Sequence, residues 1–187
     1  MADKETGSEW SHILGEAKAG PLAGQQLTII PSVMTNWESW LAKYPHTSVT
    51  MIERSAREFQ TEMLQHSQRF GIGLVHHGQA RLWRFDQLRN QPLVNDKLKD
   101  LDLVVHYDTK NCTPVMWKRQ VNERLLSFQS RDQGVQDAET GSTWDMQRGV
   151  ATDGPLKGTK LVAAPAIVTF RIAWERFHPD SSTWAPK

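Results

Sequence analysis

The sequence predicts a β-rich α+β protein in which a small β-sheet or barrel-like unit with short amphipathic helices is pseudo-repeated. Three observations predict this class. A long segment from the start of the chain recurs near its end, short apolar runs alternate with turn residues, and two stretches that carry tryptophan are predicted to be short amphipathic helices. Short apolar runs bounded by Gly and Pro are typical of strands, and a recurring segment indicates one supersecondary unit used twice.

The repeat is the strongest pattern in the sequence. Its first copy opens with Asp3, Glu5, Gly7 and Trp10, and its second copy opens with Asp137, Glu139, Gly141 and Trp144. The match continues without a gap and pairs Gly20-Pro21-Leu22 with Gly154-Pro155-Leu156, Trp40 with Trp174, and Pro45 with Pro179. This shared spacing predicts that both copies adopt the same local structure.

The composition excludes several classes of function. The 187 residues include 22 basic and 21 acidic side chains, so the chain lacks the excess positive charge that nucleic acid or an anionic membrane attracts. A single cysteine excludes an internal disulfide and a Cys-x-x-Cys site. The sequence has no apolar run long enough to span a membrane, and its N-terminus lacks the apolar region of a signal peptide. We therefore predict no nucleic-acid partner, no transmembrane segment, and membrane association only through a partner.

Residues 1–53 are predicted to form half a unit, with the order strand, turn, strand and helix. Trp10–Leu14 and Leu27–Ile30 are the strand candidates, on either side of a turn rich in Gly and Pro. A helix capped by Thr35 or Asn36 is predicted to follow. Its apolar stripe has the spacing i, i+3, i+4 and i+7 and consists of Trp37, Trp40, Leu41 and Tyr44.

The rest of the chain is predicted to hold a connecting segment and one complete unit. Residues 54–69 are mostly polar helix formers, which indicates a connecting helix or linker. Residues 70–187 form the complete unit, and we expect it to pack with residues 1–53 as one globular body. Its expected elements are a hairpin at 70–85 with a glycine turn, a strand at 101–107, a hairpin of 115–117 with 125–128 about Asn122-Glu123, and a helix at 171–177.

Residues 70–184 contain a series of short motifs in a fixed order. They are Gly71 to Arg81, Val94-Asn95-Asp96, Leu103 to Tyr107, Trp117-Lys118-Arg119, Leu126-Ser127-Phe128, Asp137 to Trp144, Gly154 to Gly158, and Trp174 with His178-Pro179. In this order they resemble the family catalogued as domain of unknown function 3179, and residues 3–49 resemble the last part of a second copy. The resemblance implies a β-rich, extracytoplasmic domain with no settled activity.

The resemblance also implies a candidate reactive segment, and this chain departs from it. The family usually carries a Cys-Pro-x-Cys-like segment after the Tyr of the central strand. Here Tyr107 is followed by Asp108 and Asn111 where the cysteines would lie, and Cys112 is one position away. A histidine common before the Val-Asn-Asp motif is also absent, with Gln91-Pro92 in its vicinity. The scaffold is therefore expected to persist without the family's reactive groups.

His106, Asp108 and Cys112 combine an imidazole, a carboxylate and a thiol within a short stretch. Because alternate residues of a strand share a face, His106 and Asp108 are expected to lie together, and a copper or zinc site with Cys112 is one hypothesis. A nucleophilic Cys112 activated by His106 is a second hypothesis. The third interpretation is a single buried thiol and no cofactor.

Two other sets of polar residues receive structural interpretations. Asp3 with Glu5, and Asp137 with Glu139, could serve acid–base chemistry or bind a hard metal. A turn whose carboxylates cap backbone amides accounts better for the Gly and Ser beside them. His76-His77 lies at a hairpin tip, and adjacent residues of a strand point to opposite faces, which predicts a solvated turn rather than a shared metal.

These observations lead to two functional hypotheses. The favoured one is a non-catalytic structural or protein-interaction protein, an accessory subunit that binds other protein chains through Trp37, Trp40 and Tyr44. Nothing earlier in this sequence corresponds to residues 70–137, so the first half-unit either finds its partner strands in another chain or packs against the complete unit. The alternative is an extracytoplasmic metal-binding or thiol-redox protein that uses copper or zinc at residues 106–112.

Overall fold

A computed structural model of the chain describes residues 1–49, 65–132 and 134–186. The described residues are β-rich, with strands of two to eight residues in several small sheets and short helices between them. The predicted fold class is confirmed, and the sheets are open rather than closed into a barrel. None of the helices in these ranges has the length and apolar composition that a membrane span requires.

The first repeat copy begins with an antiparallel strand pair, β1 (Glu9–Ser11) and β2 (Glu16–Ala19). The strand predicted at Leu27–Ile30 is wrong, because this segment forms no regular strand. A strand needs a neighbour for its backbone N–H and C=O groups. In the described part of the chain a single bridge, between Glu16 of β2 and Gln26, forms just before this segment, so no ladder extends into it.

The predicted helix of the first copy is present as α1 (Trp37–Lys43). The side chain of Asn36 accepts a hydrogen bond from the backbone amide of Ser39 at 2.8 Å, which satisfies one of the free amides of the first turn. The helix ends at Tyr44, directly before Pro45. None of the side chains in α1 is fully buried.

The centre of the molecule is a hairpin followed by a three-stranded meander. The hairpin and the strand predicted at 101–107 are both confirmed, while a short helix after the hairpin was not expected. A 3-10 turn at Ser67–Arg69 leads into the hairpin. The elements in chain order are β3 (Phe70–His76), β4 (Gln79–Arg84), α2 (Phe85–Asn90), β5 (Leu93–Leu98), β6 (Leu101–Asp108) and β7 (Thr113–Lys118).

The hairpin predicted between residues 115–117 and 125–128 is wrong. β7 pairs with β6, and the turn at Asn122 instead joins two very short strands, β8 (Gln120–Val121) and β9 (Arg124–Leu125). The next four strands form one antiparallel sheet in sequence order. They are β10 (Phe128–Arg131), β11 (Gly134–Asp137), β12 (Thr143–Asp145) and β13 (Val150–Asp153).

The second repeat copy ends by enclosing the central hairpin from both sides. β14 (Ile167–Phe170) pairs antiparallel with β3, and β15 (Ser182–Thr183) pairs parallel with β4. Between them lies α3 (Arg171–Phe177), the helix that the sequence predicts. The sheet order is therefore β14-β3-β4-β15, with the earliest strands of the complete unit in the middle and the latest at the edges.

Two hydrophobic cores lie on the two faces of β6. Leu103, Val105 and Tyr107 belong to the core under the β3–β4 hairpin, and Val104 belongs to the core under the β10–β13 sheet. All four are at most 1% exposed. This alternation explains the nearly continuous apolar run of β6, which is the pattern of a strand buried on both faces.

The first copy contacts the rest of the chain beside β7. Asn36 donates a hydrogen bond from Nδ2 to Oδ1 of Asn111 at 3.1 Å, and the hydroxyl of Thr113 donates to that of Thr35 at 3.0 Å. The linker predicted at residues 54–69 falls mostly outside the described residues, which begin again at position 65.

Candidate functional site

Both repeat copies build the same hydrogen-bonded turn around an aspartate. Oδ1 of Asp137 accepts from the backbone amide of Thr140 at 2.6 Å, and Oδ2 accepts from the indole N–H of Trp144 at 2.8 Å. In the first copy, Asp3 makes the matching contacts with Thr6 at 2.6 Å and with Trp10 at 2.9 Å. Each carboxylate is thus used to hold its turn and its tryptophan.

The hydrogen bonds change the acidity of Asp3. The bond from the Trp10 indole, followed by that from the Thr6 amide, lowers the pKa of Asp3 to about 2. Glu139 lies differently, because its carboxylate accepts from the backbone amide of Ser127 at 2.7 Å. The aspartate and the glutamate of the second copy therefore hold separate parts of the backbone.

The two copies also share the contact between a buried serine and a glycine turn. The Ser142 hydroxyl accepts from the Leu156 amide at 3.0 Å, and the Ser8 hydroxyl accepts from the Leu22 amide at 3.1 Å. A Cβ atom at Gly154 would lie 2.7 Å from Cα of Ser142, so this close approach excludes larger residues. The sequence repeat is therefore a repeat of local geometry.

The copies differ in what covers them. Leu161 is 6% exposed and Ala164 is 4% exposed, because both belong to the cores of the complete unit. At the matching positions of the first copy, Leu27 is 54% exposed and Ile30 is 80% exposed. Matching side chains are thus buried in a hydrophobic core in the second copy and exposed to solvent in the first.

The helices show the same difference. Trp174 of α3 is 1% exposed and packs so closely on β3 that a Cβ at Gly73 would lie 2.3 Å from its ring. The matching Trp40 of α1 is half-buried and lies 4.4 Å, centroid to centroid, from the ring of Tyr44. Trp37 is 48% exposed on the same helix. The three predicted interface residues are thus close together and still accessible.

We call the exposed apolar residues of the first copy the first-copy face. It consists of Leu27, Ile29, Ile30, Val33, Met34, Trp37, Leu41 and Tyr44, together with the half-buried Trp40. Residues 33–36 match β14 of the second copy, yet they form no strand in the described structure. An apolar surface of this extent beside an unpaired backbone is typical of an interaction site.

The three residues of the predicted metal or thiol site are not brought together. His106 and Asp108 lie on one face of β6, and Cys112 is buried with Tyr107 in the core on the other face. Asp108 accepts from the backbone amide of Asn111 at 3.1 Å and from its side chain at 2.7 Å, so it caps the loop after β6. The alternative hypothesis at residues 106–112 therefore stays a prediction without a cluster of donor atoms to support it.

The acidities around β6 follow from burial and hydrogen bonding. Burial lowers the pKa of His106, whose Nδ1 lies 3.3 Å from the side-chain nitrogen of Gln147. Burial, followed by the nearby Cys112 thiol, raises the pKa of Tyr107. Burial opposes ionisation of Asp108, but the hydrogen bonds from Asn111 and Lys110 outweigh it and lower the pKa of Asp108.

A different group of ligand-type side chains does come together. Nε2 of His76 and Nδ1 of His77 lie 3.0 and 3.3 Å from the same oxygen of Asp100, and the two imidazole rings stack with centroids 4.0 Å apart. The expectation that these histidines point to opposite faces is wrong. His77 has φ +46° and Gly78 has φ +76°, which turns the chain so that both rings face one side.

Sequence reasoning missed Asp100, but a signal for it was present. A His-Gly pair between apolar strands is compatible with a two-residue turn in which both residues have positive φ, and histidine is enriched there. Lys99-Asp100 forms a second two-residue turn, between β5 and β6. Two such turns on neighbouring hairpins allow their side chains to meet.

Comparison with known proteins supports the repeat. The model of one family, described as protein of unknown function DUF3179, matches residues 1–69 and again residues 60–181. Two overlapping matches of this kind are consistent with one and a half copies of a unit. No curated protein and no solved structure matches the chain.

Proposed function

We propose that this chain, which belongs to the family described as protein of unknown function DUF3179, is a non-catalytic interaction protein that binds another polypeptide. The observation that carries the proposal is the burial of Leu161 and the exposure of Leu27, at 6% and 54%, in two segments with the same hydrogen bonds. The second copy is an internal example of how such a segment is covered. The first copy then needs a comparable cover from outside the described residues.

The internal example also indicates the chemistry of the partner. In the second copy, β14 and β15 enclose the β3–β4 hairpin, and Trp174 rests on Gly73. Residues 33–36 and 48–49 of the first copy match β14 and β15. The partner is therefore a β-hairpin that enters between these segments, with a glycine opposite Trp40 as the seat for its ring.

The energetics favour such an association. Burying one large apolar side chain contributes about 1.5–3 kcal/mol, and the first-copy face holds eight exposed residues of this kind. Trp and Tyr are the residues that most often dominate binding energy at interfaces. Added strand pairing satisfies backbone groups at the same time, which is the β-augmentation mode of recognition.

The first experiment uses a synthetic peptide of residues 70–84, labelled at its N-terminus, as the model hairpin. Fluorescence anisotropy is recorded while the full chain is added. We expect saturable binding that Ile30→Asp weakens at least about tenfold, since an interface anchor is worth roughly 2 kcal/mol or more. Val162→Asp is the matched control, because Val162 is 56% exposed in the segment of the second copy that matches residues 27–30, and its substitution should not affect binding.

A second peptide makes the test specific for the glycine seat. Gly73→Val in the labelled peptide should abolish binding, because the added side chain meets the tryptophan ring. Equal binding of both peptides, or of wild type and Ile30→Asp, would count against a hairpin partner.

The accessory role is tested on the chain purified from its source under native conditions. Native mass spectrometry should find the chain in a complex with another polypeptide, and Ile30→Asp should release it as a monomer. A lone, monodisperse chain in the native preparation would contradict the interaction proposal itself.

A further inference from the structure

The tips of two hairpins lie side by side at one end of the central body. The turn between β3 and β4 carries His76 and His77, and the turn between β5 and β6 carries Lys99 and Asp100. Although the two histidines and the aspartate are separated by two strands and a helix in sequence, their donor atoms all lie within 4.8 Å of one another. Among the described residues, no other group of three His, Cys, Asp or Glu side chains has its donor atoms this close together.

The two tips are fixed relative to each other by a charged pair deeper in the fold. Arg81 of β4 donates from Nη1 to both carboxylate oxygens of Asp96 of β5 at 3.0 Å, and to the backbone carbonyl of Lys97 at 3.1 Å. The indole of Trp83 donates to the same carboxylate at 3.0 Å. Because both partners lie on strands and are mostly buried, the hairpins are held rigidly just behind their tips.

The separations of the two imidazole nitrogens from the Asp100 oxygen are those of ligands on one ion. Two ligands held about 2.0–2.1 Å from a tetrahedral metal lie roughly 3.3 Å from each other. In the structure, the Asp100 oxygen lies 3.0 Å from Nε2 of His76 and 3.3 Å from Nδ1 of His77. Small shifts of the side chains would therefore be enough to place an ion between the three groups.

We propose that His76 Nε2, His77 Nδ1 and the Asp100 carboxylate form a binding site for a divalent late first-row transition metal, such as zinc or copper. Two imidazoles and one carboxylate suit these borderline ions, whereas Mg²⁺ and Ca²⁺ prefer an all-oxygen shell. The side chains of His77 and Asp100 are 66% and 70% exposed, so an ion can enter directly from solvent. Water completes the coordination, as is usual where the protein supplies three ligands.

Lys99 both supports and opposes the site. Its ammonium group donates to the backbone carbonyl of His77, which ties the two turns together. Its positive charge also repels a cation and thereby limits the affinity. Lys99→Gln should therefore strengthen metal binding wherever the turns keep their positions, since it removes the charge and keeps a donor.

The test is isothermal titration calorimetry of ZnCl₂ into the full chain without a histidine tag, after treatment with a chelator. We expect one zinc ion per chain. His77→Ala and Asp100→Asn should each lower the affinity by at least the roughly 10- to 100-fold that loss of an outer-shell partner costs. His46→Ala is the matched control, because His46 is an exposed histidine in a turn outside the cluster and should leave binding unchanged.

The imidazole signals in an NMR spectrum locate the ion independently of the stoichiometry. Zinc should shift the ring protons of His76 and His77 in the full chain and leave those of His46 and His12 in place. Absence of saturable binding at millimolar zinc would overturn the proposal. Binding that survives His77→Ala, or uniform shifts of every histidine, would also overturn it.

Discussion

The two repeat copies share their hydrogen bonds and differ in their burial. In both, an aspartate holds a threonine amide and a tryptophan indole, and a serine hydroxyl holds the amide of a leucine. Yet the tryptophan of the second helix is 1% exposed, while that of the first helix is half-buried. The hydrogen bonds of the turn therefore form whether or not a hydrophobic core packs against the copy. Burial of its apolar side chains requires strands from elsewhere in the sequence.

The largest expected effect comes from removing the buried member of the tryptophan pair. Trp174→Ala leaves a cavity above Gly73 and should cost about 3–5 kcal/mol in the free energy of unfolding. Trp40→Ala should cost clearly less, since its ring is half-buried. Urea unfolding followed by far-UV circular dichroism measures both. Equal losses of unfolding free energy in the two variants would mean that both tryptophans are buried to the same extent.

A smaller effect is expected from the matching leucines of the two copies, Leu161 and Leu27. Leu161→Ala should cost roughly 2–5 kcal/mol because the side chain is 6% exposed in a core. Leu27→Ala should change stability by less than about 0.5 kcal/mol, as for other surface positions. The midpoint of urea unfolding reports both values. A large loss for Leu27→Ala would show that the first-copy face is already covered in the isolated chain.

Gly73→Ala sharpens the account of how the second copy is covered. The new methyl group meets the Trp174 ring, and such overpacking typically costs about 1–3 kcal/mol. In a Trp174→Ala background the same change should cost almost nothing. The double-mutant cycle isolates this coupling. If the two losses of stability were additive, Gly73 would be required for a reason other than its contact with the Trp174 ring.

The smallest effect concerns the exposed turn of the first copy. Because hydrogen bonds lower the pKa of Asp3 to about 2, from an ordinary value near 3.9, the turn is favoured above pH 4 and is lost as pH falls through about 2. The indole N–H signal of Trp10 in NMR spectra should move with that midpoint. In Asp3→Asn the signal should stay constant through this range, and a midpoint near pH 4 in wild type would refute the bond.

The sequence predicts best those features that depend on neighbours in the chain. The Asn36 cap, the α1 and α3 helices and the β3–β4 hairpin all follow from local spacing and turn residues. The choice between two possible partner strands is not encoded in this way. The apolar run of β7 gives no indication that its partner is β6 rather than the strands after Asn122, because such a run is compatible with either neighbour.

The candidate sites show the same limit. Alternation along β6 correctly places His106 and Asp108 on one face, but the loop that follows puts Cys112, at φ +49°, into the opposite core. Alternation also fails at His77, because it holds only for extended backbone. The exposure of the first-copy face could be predicted in part, since the repeat shows that residues 3–49 match only the last part of the complete unit.

The order of strands in the central sheet has a consequence for synthesis. β3 and β4 emerge from the ribosome well before β14 and β15, so both edges of the hairpin stay open until these later strands have been made. By then the first copy has already been made, and its residues 33–49 match the enclosing segment 167–183 in order and keep its tryptophan and proline. We expect the first copy to compete with β14 and β15 for the edges of the β3–β4 hairpin. Such a kinetic trap would slow the final strand pairing.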